Sequence, residues 1–334
     1  MKLRILSSAE VKQALPMSAA VAGMKTAYQI LSAGEAELPP RIRIDNPAAN
    51  GVSLFMPSFV NGNDENPAGI LATKTVSIYN DNPQQGLPTI NAIVQLLDAE
   101  TGMPLAILEG ATLTAIRTVA GSGAATDILA RANSKTVGIF GSGVQARTQL
   151  EAICTVREIE QVFVYSPNSI NAQKFAAEVS GQGPIPADIQ VAENPVHVVE
   201  QSDIICTAST STSPVFDGAN LKPGTHINAV GSFQPHVQEI DETTLLKSLF
   251  VVDERAAVLE EPGDFLIPLA NGTVTADHIH AELGEIVAGE KPGRTDDAQI
   301  TLFKSCGIAV QDAVAAQIAY QRAVEENLGT LLEL

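Results

Sequence analysis

Positive charge is scarce in this chain of 334 residues. Lysine and arginine total 20 against 38 aspartates and glutamates, a formal charge of −18. A field of that sign repels nucleic-acid phosphate and anionic lipid, so neither partner is expected, and an anionic ligand needs local cations to hold it. Cysteine is equally sparse. Cys154, Cys206 and Cys306 are odd in number and far apart, with no CxxC pair. They read as reduced, mostly buried thiols rather than a disulfide framework or a zinc site. Of five histidines only His278 and His280 stand close. Without an HExxH spacing, a surface strand or loop is their expected setting, and no metal site is expected. No uninterrupted apolar run reaches the roughly 18 residues of a membrane span. The opening MKLRILSSAEVKQ meets charge too soon for a signal-peptide core, so a cytoplasmic location is expected. The serine-hydrolase elbow GxSxG, the phosphate-binding P-loop and paired carboxylates on a helix face are also missing, as are internal repeats and low-complexity segments.

What is present is ample core material. Apolar residues make up 45% and mean hydropathy is +0.13. The length exceeds the usual single core, so two domains are the default. The most informative stretch is residues 134–150. Thr136–Phe140 is a short apolar, β-rich run of the kind a fully buried parallel strand shows. Gly141-Ser-Gly143-Val-Gln-Ala146 follows at once and opens a helical pattern through Val144, Leu150 and Ile153. Gly141 permits the tight turn, Gly143 lets a pyrophosphate approach the backbone, and Ala146 lets the helix lie close to the strand. The helix N-terminus supplies free N–H groups. A strand before and a helix after raise this GxGxxA match well above an ordinary glycine turn.

The remaining pattern falls into two halves. Ser8-Ala-Glu-Val begins a short helix, and Ser18 is expected to cap a longer one through Met24, Tyr28 and Leu31, ended by Gly34. After Pro39-Pro40, strands are expected at Arg41–Ile44, Val52–Phe59, Gly69–Tyr79, Thr89–Leu97 and Pro104–Leu108, largely antiparallel. Ala111–Arg131 changes to helical period. From Thr136 onward strands and helices alternate: strands at Gln161–Tyr165, Ile204–Thr207, His226–Val230 and Leu249–Asp253, helices at Ile170–Val179 and Pro195–Gln201. That alternation implies a parallel, doubly wound sheet. Gln299–Val324 reads as a long closing helical region.

Chemistry is suggested by cations set among apolar residues: Arg41, Lys74 and Arg117. A lysine in an apolar strand is costly unless paired, so Lys74 wants an anion, either a ligand's or a protein carboxylate. Six segments carry a resemblance: Leu71-Ala-Thr-Lys-Thr75, Gly86-Leu-Pro-Thr89, Leu97-Asp-Ala-Glu-Thr-Gly102, Leu113-Thr-Ala-Ile-Arg-Thr118, Gly141-Ser-Gly-Val-Gln-Ala146 and Ile300-Thr-Leu-Phe-Lys-Ser305. Through them the chain resembles the ornithine cyclodeaminase/mu-crystallin family over nearly its whole length. The resemblance implies an α/β protein: a Rossmann dinucleotide-binding domain of residues 131–305 with a doubly wound parallel sheet, and an α+β substrate-binding and dimerisation domain of residues 1–130 and 306–334 with a mainly antiparallel sheet. It also implies a homodimer built through the antiparallel domain.

Carried across position by position, Lys74 and Arg117 match the family's substrate-carboxylate ligands. Arg41 matches a third, with Arg43 its competitor because the alignment near Pro40 is loose. Thr89 and Thr118 match cofactor contacts, Val144 and Gln145 the turn over the pyrophosphate, Thr207 the end of a later strand, Val230 and Gly231 the nicotinamide side, and Ser305 a contact from the returning segment. Where the cyclodeaminases have a Glu and a catalytic Asp, this chain has Leu54 and Phe233. Apolar groups there leave a side-chain ammonium without a partner, so a cyclic imine with one carboxylate fits better than ornithine. The expected activity is NAD(P)H-dependent reduction of Δ1-pyrroline-2-carboxylate or Δ1-piperideine-2-carboxylate to proline or pipecolate, with Leu54 and Phe233 walling the ring. If the imine enters protonated no strong general acid is required, and His236 and Lys74 are the candidate donors. An ornithine cyclodeaminase, an alanine-type dehydrogenase and a mu-crystallin-like binding protein are the alternatives.

Cofactor choice is read from the strand Gln161–Tyr165. In NAD-selective folds an acid about 20 residues past the glycines binds the ribose hydroxyls. Here the tip carries Ser166 and Asn168, with Lys174 farther on, while Glu158 and Glu160 precede the strand. NADPH is therefore expected, with NADH usable.

Overall fold

A computed structural model describes residues 2–62, 66–232 and 234–333. The chain divides into two compact units, Met1–Thr118 with Ile308–Leu334, and Val119–Gly307.

The first unit is built on a sheet whose strands in chain order are β1 (Lys2–Leu6), β2 (Ala36–Glu37), β3 (Ile42–Asn46), β4 (Gly51–Val60), β5 (Ile70–Tyr79), β6 (Ile90–Leu97) and β7 (Pro104–Glu109). The C-terminal strand Thr330–Glu333 pairs with β1, and β7, β6, β5, β4 and β2 follow, with β3 also on β4. Pairing is antiparallel except between β1 and β7. The edge strand Thr330–Glu333 and its neighbour β1 are not expected from sequence. Each spans only a few residues, too few for a hydrophobic period, and each is defined by its partner.

Alternation decides which face is covered. The register aligns Met56 with Lys74 and Lys74 with Val94, and Ser58 with Ala72 and Ala72 with Leu96. All are buried. Helices α1 (Ser8–Ala14) and α2 (Met17–Ser32) belong to this unit, as does the C-terminal helix Ala309–Glu325, which packs on α2 and across β4, β5 and β6. The opposite face keeps Ile42, Ile44 and Ile93 about half exposed. The start of α2 corrects the sequence reading. Its cap is Pro16, not Ser18, which lies inside the helix; the extended backbone of proline breaks the chain from α1. The division between the units falls within helix α3 (Gly110–Leu129).

The second unit holds β8 (Thr136–Phe140), β9 (Gln161–Tyr165), β10 (Ile189–Val191), β11 (Ile204–Thr207), β12 (His226–Ala229), β13 (Ser248–Val252), β14 (Ala281–Glu282) and β15 (Ile300–Lys304). They form one sheet in the order β10-β9-β8-β11-β12-β15-β13-β14, every pair parallel. Helix α4 (Val144–Val156) follows β8 and α5 (Ser169–Val179) follows β9. Ile139, Val162 and Val164 pack with Leu150 and Phe175 on one face; Phe140, Phe163 and Ile205 pack with Val198 and Phe265 on the other. Burial on both faces explains the continuous apolar runs. The sheet is doubly wound, and its order reverses between β8 and β11. Strand β15 is a second correction. The expected helical region Gln299–Val324 begins as a strand, because the β-favouring Ile300–Lys304 pairs between β12 and β13; the helix starts only at Ala309.

Candidate active site

In an open parallel sheet, ligands bind beyond the carboxyl ends of the strands where the order reverses. Here that place is a cleft of about 650 Å³ lined by residues 141–143, 165–167 and 208–211, with no carboxylate in its lining. Gly141 has φ 118°, and a Cβ there would stand 2.3 Å from the Ala208 carbonyl oxygen. Only glycine fits both demands. Gly143 is the extended N-cap of α4, and a Cβ on it would meet nothing within 4 Å, so the turn faces open space. Val144 is exposed, and the buried Oε1 of Gln145 has no hydrogen-bond partner among the described residues. An open approach over Gly143 and the N–H groups of the first helical turn suit an anionic ligand such as a dinucleotide pyrophosphate.

Around the mouth, Ser166 lines the cleft and its Oγ lies 3.4 Å from Ser142 Oγ. Asn168 caps α5, its Oδ1 accepting from the backbone N–H groups of Ile170 and Asn171. Lys174 lies 3.8 Å from Glu178. Glu158 and Glu160 flank Lys135 before β9 begins, away from the tip of that strand.

Thr207, Val230, Gly231 and Ser305 gather at the ends of β11, β12 and β15, which are neighbours in the sheet. The backbone N–H groups of Val230 and Gly231 donate to the Thr207 carbonyl. The hydroxyls of Thr207 and Ser305 are committed to the protein: Thr207 Oγ1 donates to Glu239 and Ser305 Oγ to Asp253. Sequence reasoning named neither acid, since each lies far along the chain from its partner. Burial pushes the carboxyl groups of Glu239 and Asp253 up from the usual range.

The cations lie in the first unit. Lys74 Nζ is 2.6 Å from Asp312 Oδ2, and Arg117 Nε is 2.9 Å from Asp312 Oδ1. Arg117 Nη1 also donates to Gln311 Oε1 at 3.0 Å, and Gln311 donates to the Tyr28 hydroxyl. All three charged groups are sealed from water: Arg117 is 6% exposed, Lys74 3% and Asp312 2%. Burial, opposed by Asp312 and helped by the charges of Arg117 and Arg41, lowers Lys74 to about 8. Two cations on one carboxylate leave one positive charge over, and the bonds made by Nε and Nη1 leave Arg117 Nη2 for a further acceptor. Asp312 was missed by sequence reasoning. The signal was an acid on the apolar packing face around Val310–Ala316.

Arg41 is exposed, and its charge is felt at Lys74. Arg43 pairs with Asp45 on its own strand at 2.7 Å. Leu54 is half-buried, on the same face of β4 as Met56. Thr89 and Thr118 are half-buried, the carbonyl of Thr89 accepting from Tyr79 N–H. His236 is exposed. Phe233 lies outside the described residues. His278 and His280 bond to the backbone carbonyls of Leu245 and Pro292. Among the described residues no cluster of three or more His, Cys, Asp or Glu could hold a metal, and no helix is long and apolar enough to cross a membrane. Cys154 and Cys206 are buried, which pushes both thiols up, Cys154 to about 12.

Known proteins share this architecture throughout. A Δ1-pyrroline-2-carboxylate reductase of Bacillus cereus is 40% identical over 332 residues, covering 98% of this chain and 99% of its own. The Thermococcus litoralis Δ1-pyrroline-2-carboxylate reductase, solved with NADH and L-proline, superposes with a TM-score of 0.90 at 44% identity, covering 98% and 99%. An archaeal alanine dehydrogenase dimer with bound NAD gives 0.90 at 32% identity, covering 100% of both chains. Residues 1–327 match the ornithine cyclodeaminase/mu-crystallin family, and the chain belongs to that family.

Proposed function

We propose that this protein is an NAD(P)H-dependent imine reductase that converts Δ1-pyrroline-2-carboxylate or its six-membered homologue to the cyclic L-amino acid. The observation that carries this reading is a buried pair of cations with one charge to spare, Lys74 and Arg117 on Asp312, in a chain that matches Δ1-pyrroline-2-carboxylate reductases from end to end. Arg117, with a planar fork, and Lys74, with a point charge, are the ligands of the substrate carboxylate, and Arg41 is the third. Binding the carboxylate at two or three points orients the imine carbon. Leu54 offers no anion to a second amine, which favours the imine over ornithine.

In the second unit, Gly141, Gly143, Val144 and Gln145 hold the pyrophosphate, Ser166 and Asn168 the adenosine ribose, and Thr207, Val230, Gly231 and Ser305 the nicotinamide end; Thr89 and Thr118, residues of the first unit, are further cofactor contacts. The bound dinucleotide supplies the hydride. An iminium needs no further proton for the amine to form, and where the neutral imine binds, Lys74 supplies one more readily than an ordinary lysine. With no carboxylate lining the cleft beside Ser166, no acid of the wall opposes a 2′-phosphate, so NADPH is preferred and NADH remains usable. The half-exposed apolar face of the antiparallel sheet, with Ile42, Ile44 and Ile93, is the homodimer surface.

Loss of nicotinamide absorbance with Δ1-pyrroline-2-carboxylate or Δ1-piperideine-2-carboxylate tests the reading. Turnover of either imine is expected, with a higher kcat/KM for NADPH. Ammonia release from ornithine at a comparable rate would overturn it, and a clear NADH preference would refute the cofactor assignment.

A further inference from the structure

Behind the cleft lies a buried polar chain with no counterpart in the sequence reading. Glu239, fully buried, accepts from Thr207 Oγ1 at 3.1 Å through Oε2. Through Oε1 it accepts from the backbone N–H of Ser209 at 2.8 Å and from Ser209 Oγ at 2.5 Å. Ser209 Oγ in turn accepts from the N–H of Ser211 at 3.1 Å. Ser209 and Ser211 are wall residues of the cleft. A Cβ on Gly231 would stand 2.3 Å from the Glu239 carboxylate, so the turn after β12 is pressed against the same group.

Glu239 is itself anchored. Its backbone N–H donates to Asp264 Oδ1 at 2.6 Å, and Asp264 Oδ2 receives Lys304 Nζ at 2.8 Å. Lys304 Nζ also donates to the Ser232 carbonyl at 2.6 Å. One chain of bonds thus runs from the end of β15, through the N-terminal turn of the helix Gly263–Ala270, to the loop after β11. Opposite that loop stands Gly141, against the Ala208 carbonyl. The position of residues 208–211 therefore sets how much room remains above the glycine turn. A buried acid with both carboxylate oxygens engaged fixes its neighbours far more tightly than an apolar contact would.

We propose that Glu239 is the positioning residue of the dinucleotide cleft, holding the wall of residues 208–211 and the turn at Gly231 in the geometry that admits the cofactor. The proposal rests on the dinucleotide reading above and adds to it a residue that touches neither cofactor nor substrate.

Titration of NADH and NADPH fluorescence with the intact protein tests it without turnover. Glu239→Gln keeps the shape but puts an amide N–H₂ where one carboxylate oxygen accepts. It should weaken binding of both nucleotides at least tenfold, while KM for the imine at saturating cofactor changes less than twofold. Ser209→Ala cuts only the wall side of the chain and should weaken binding about threefold to tenfold with the melting temperature retained. It carries the test if Glu239→Gln does not fold. Wild-type nucleotide affinity in a folded Glu239→Gln, or in Ser209→Ala, overturns the proposal. A wild-type protein that binds neither nucleotide overturns both this proposal and the reading beneath it.

Discussion

The two units prepare for a ligand by opposite means. The antiparallel unit concentrates charge: two cations and one carboxylate, all buried, on the covered face of β5, in α3 and in the C-terminal helix. The parallel unit presents almost none. Its cleft is lined by glycines, small hydroxyl residues and backbone, and the acids and the lysine nearby are sealed beneath it and satisfied. Under the proposed function, the contrast follows from what each would hold. A small carboxylate carries most of its recognition in one charge, which a fixed counter-charge captures. A pyrophosphate is long and is held by many weak N–H donors, whose value lies in close approach. In a chain of net charge −18, confining the spare positive charge to one buried cluster also makes that cluster the natural landing place for an anion.

The comparison predicts that damage should be electrostatic in one unit and steric in the other. The largest effect is expected at Asp312. Asp312→Asn leaves two buried cations facing each other and should cost about 3–5 kcal/mol of stability, seen as a large fall in melting temperature. A variant that melts with the wild type would show that the three groups do not act as a unit. Arg117→Met should cost about 2–5 kcal/mol of transition-state binding, read as kcat/KM for the imine, while nucleotide affinity holds. Unchanged kcat/KM and KM would remove Arg117 from the clamp.

Gly143→Ala sharpens the other side. Its Cβ enters open space at an ordinary φ of −80°, so melting should be unaffected. Dinucleotide affinity should nonetheless drop by about tenfold, or 1.4 kcal/mol, as the methyl blocks the approach. Retained affinity would show that nothing approaches that turn. The smallest effect is a pH dependence. Lys74 is lowered from 10.5 to about 8, so it is a cation below that pH and neutral above it. With a free-enzyme break at about 8, kcat/KM should fall about threefold across the pH unit centred there. Lys74→Arg should abolish the break, and a break that survives in that variant belongs to another group. The same shift makes folding stability rise with pH between about 8 and 10.5, where the unfolded chain holds a proton that folded Lys74 has lost.

Much of this could be read along the chain. Residues 134–150 contain the strand, the turn and the helix in consecutive positions, and the reason each glycine is needed is local backbone geometry. Arg117 and Lys74 stood out because a charge in an apolar segment demands a partner wherever it occurs. The alternating strands of the first hundred residues were legible for a similar reason, since period and turn residues are short-range signals. Boundaries were less so. Ser18 is a cap by residue type, yet Pro16 two residues earlier sets the backbone, and Ile300–Lys304 is a strand rather than helix because β12 and β13 pair with it on either side.

By itself, then, the sequence determined the class of each half, the position of the glycine turn and which cations seek an anion. All of these depend on residues within a few positions of one another. Only the tertiary structure decided who the partners are. Asp312 meets Arg117 across 195 positions, Glu239 meets Ser209 across 30 and Asp253 meets Ser305 across 52. No local period encodes such a pairing; it exists because parallel strands bring their ends together and because a helix from the end of the chain covers a sheet made at its beginning. Burial then turns these meetings into strong interactions, since a charge removed from water must be paired at once.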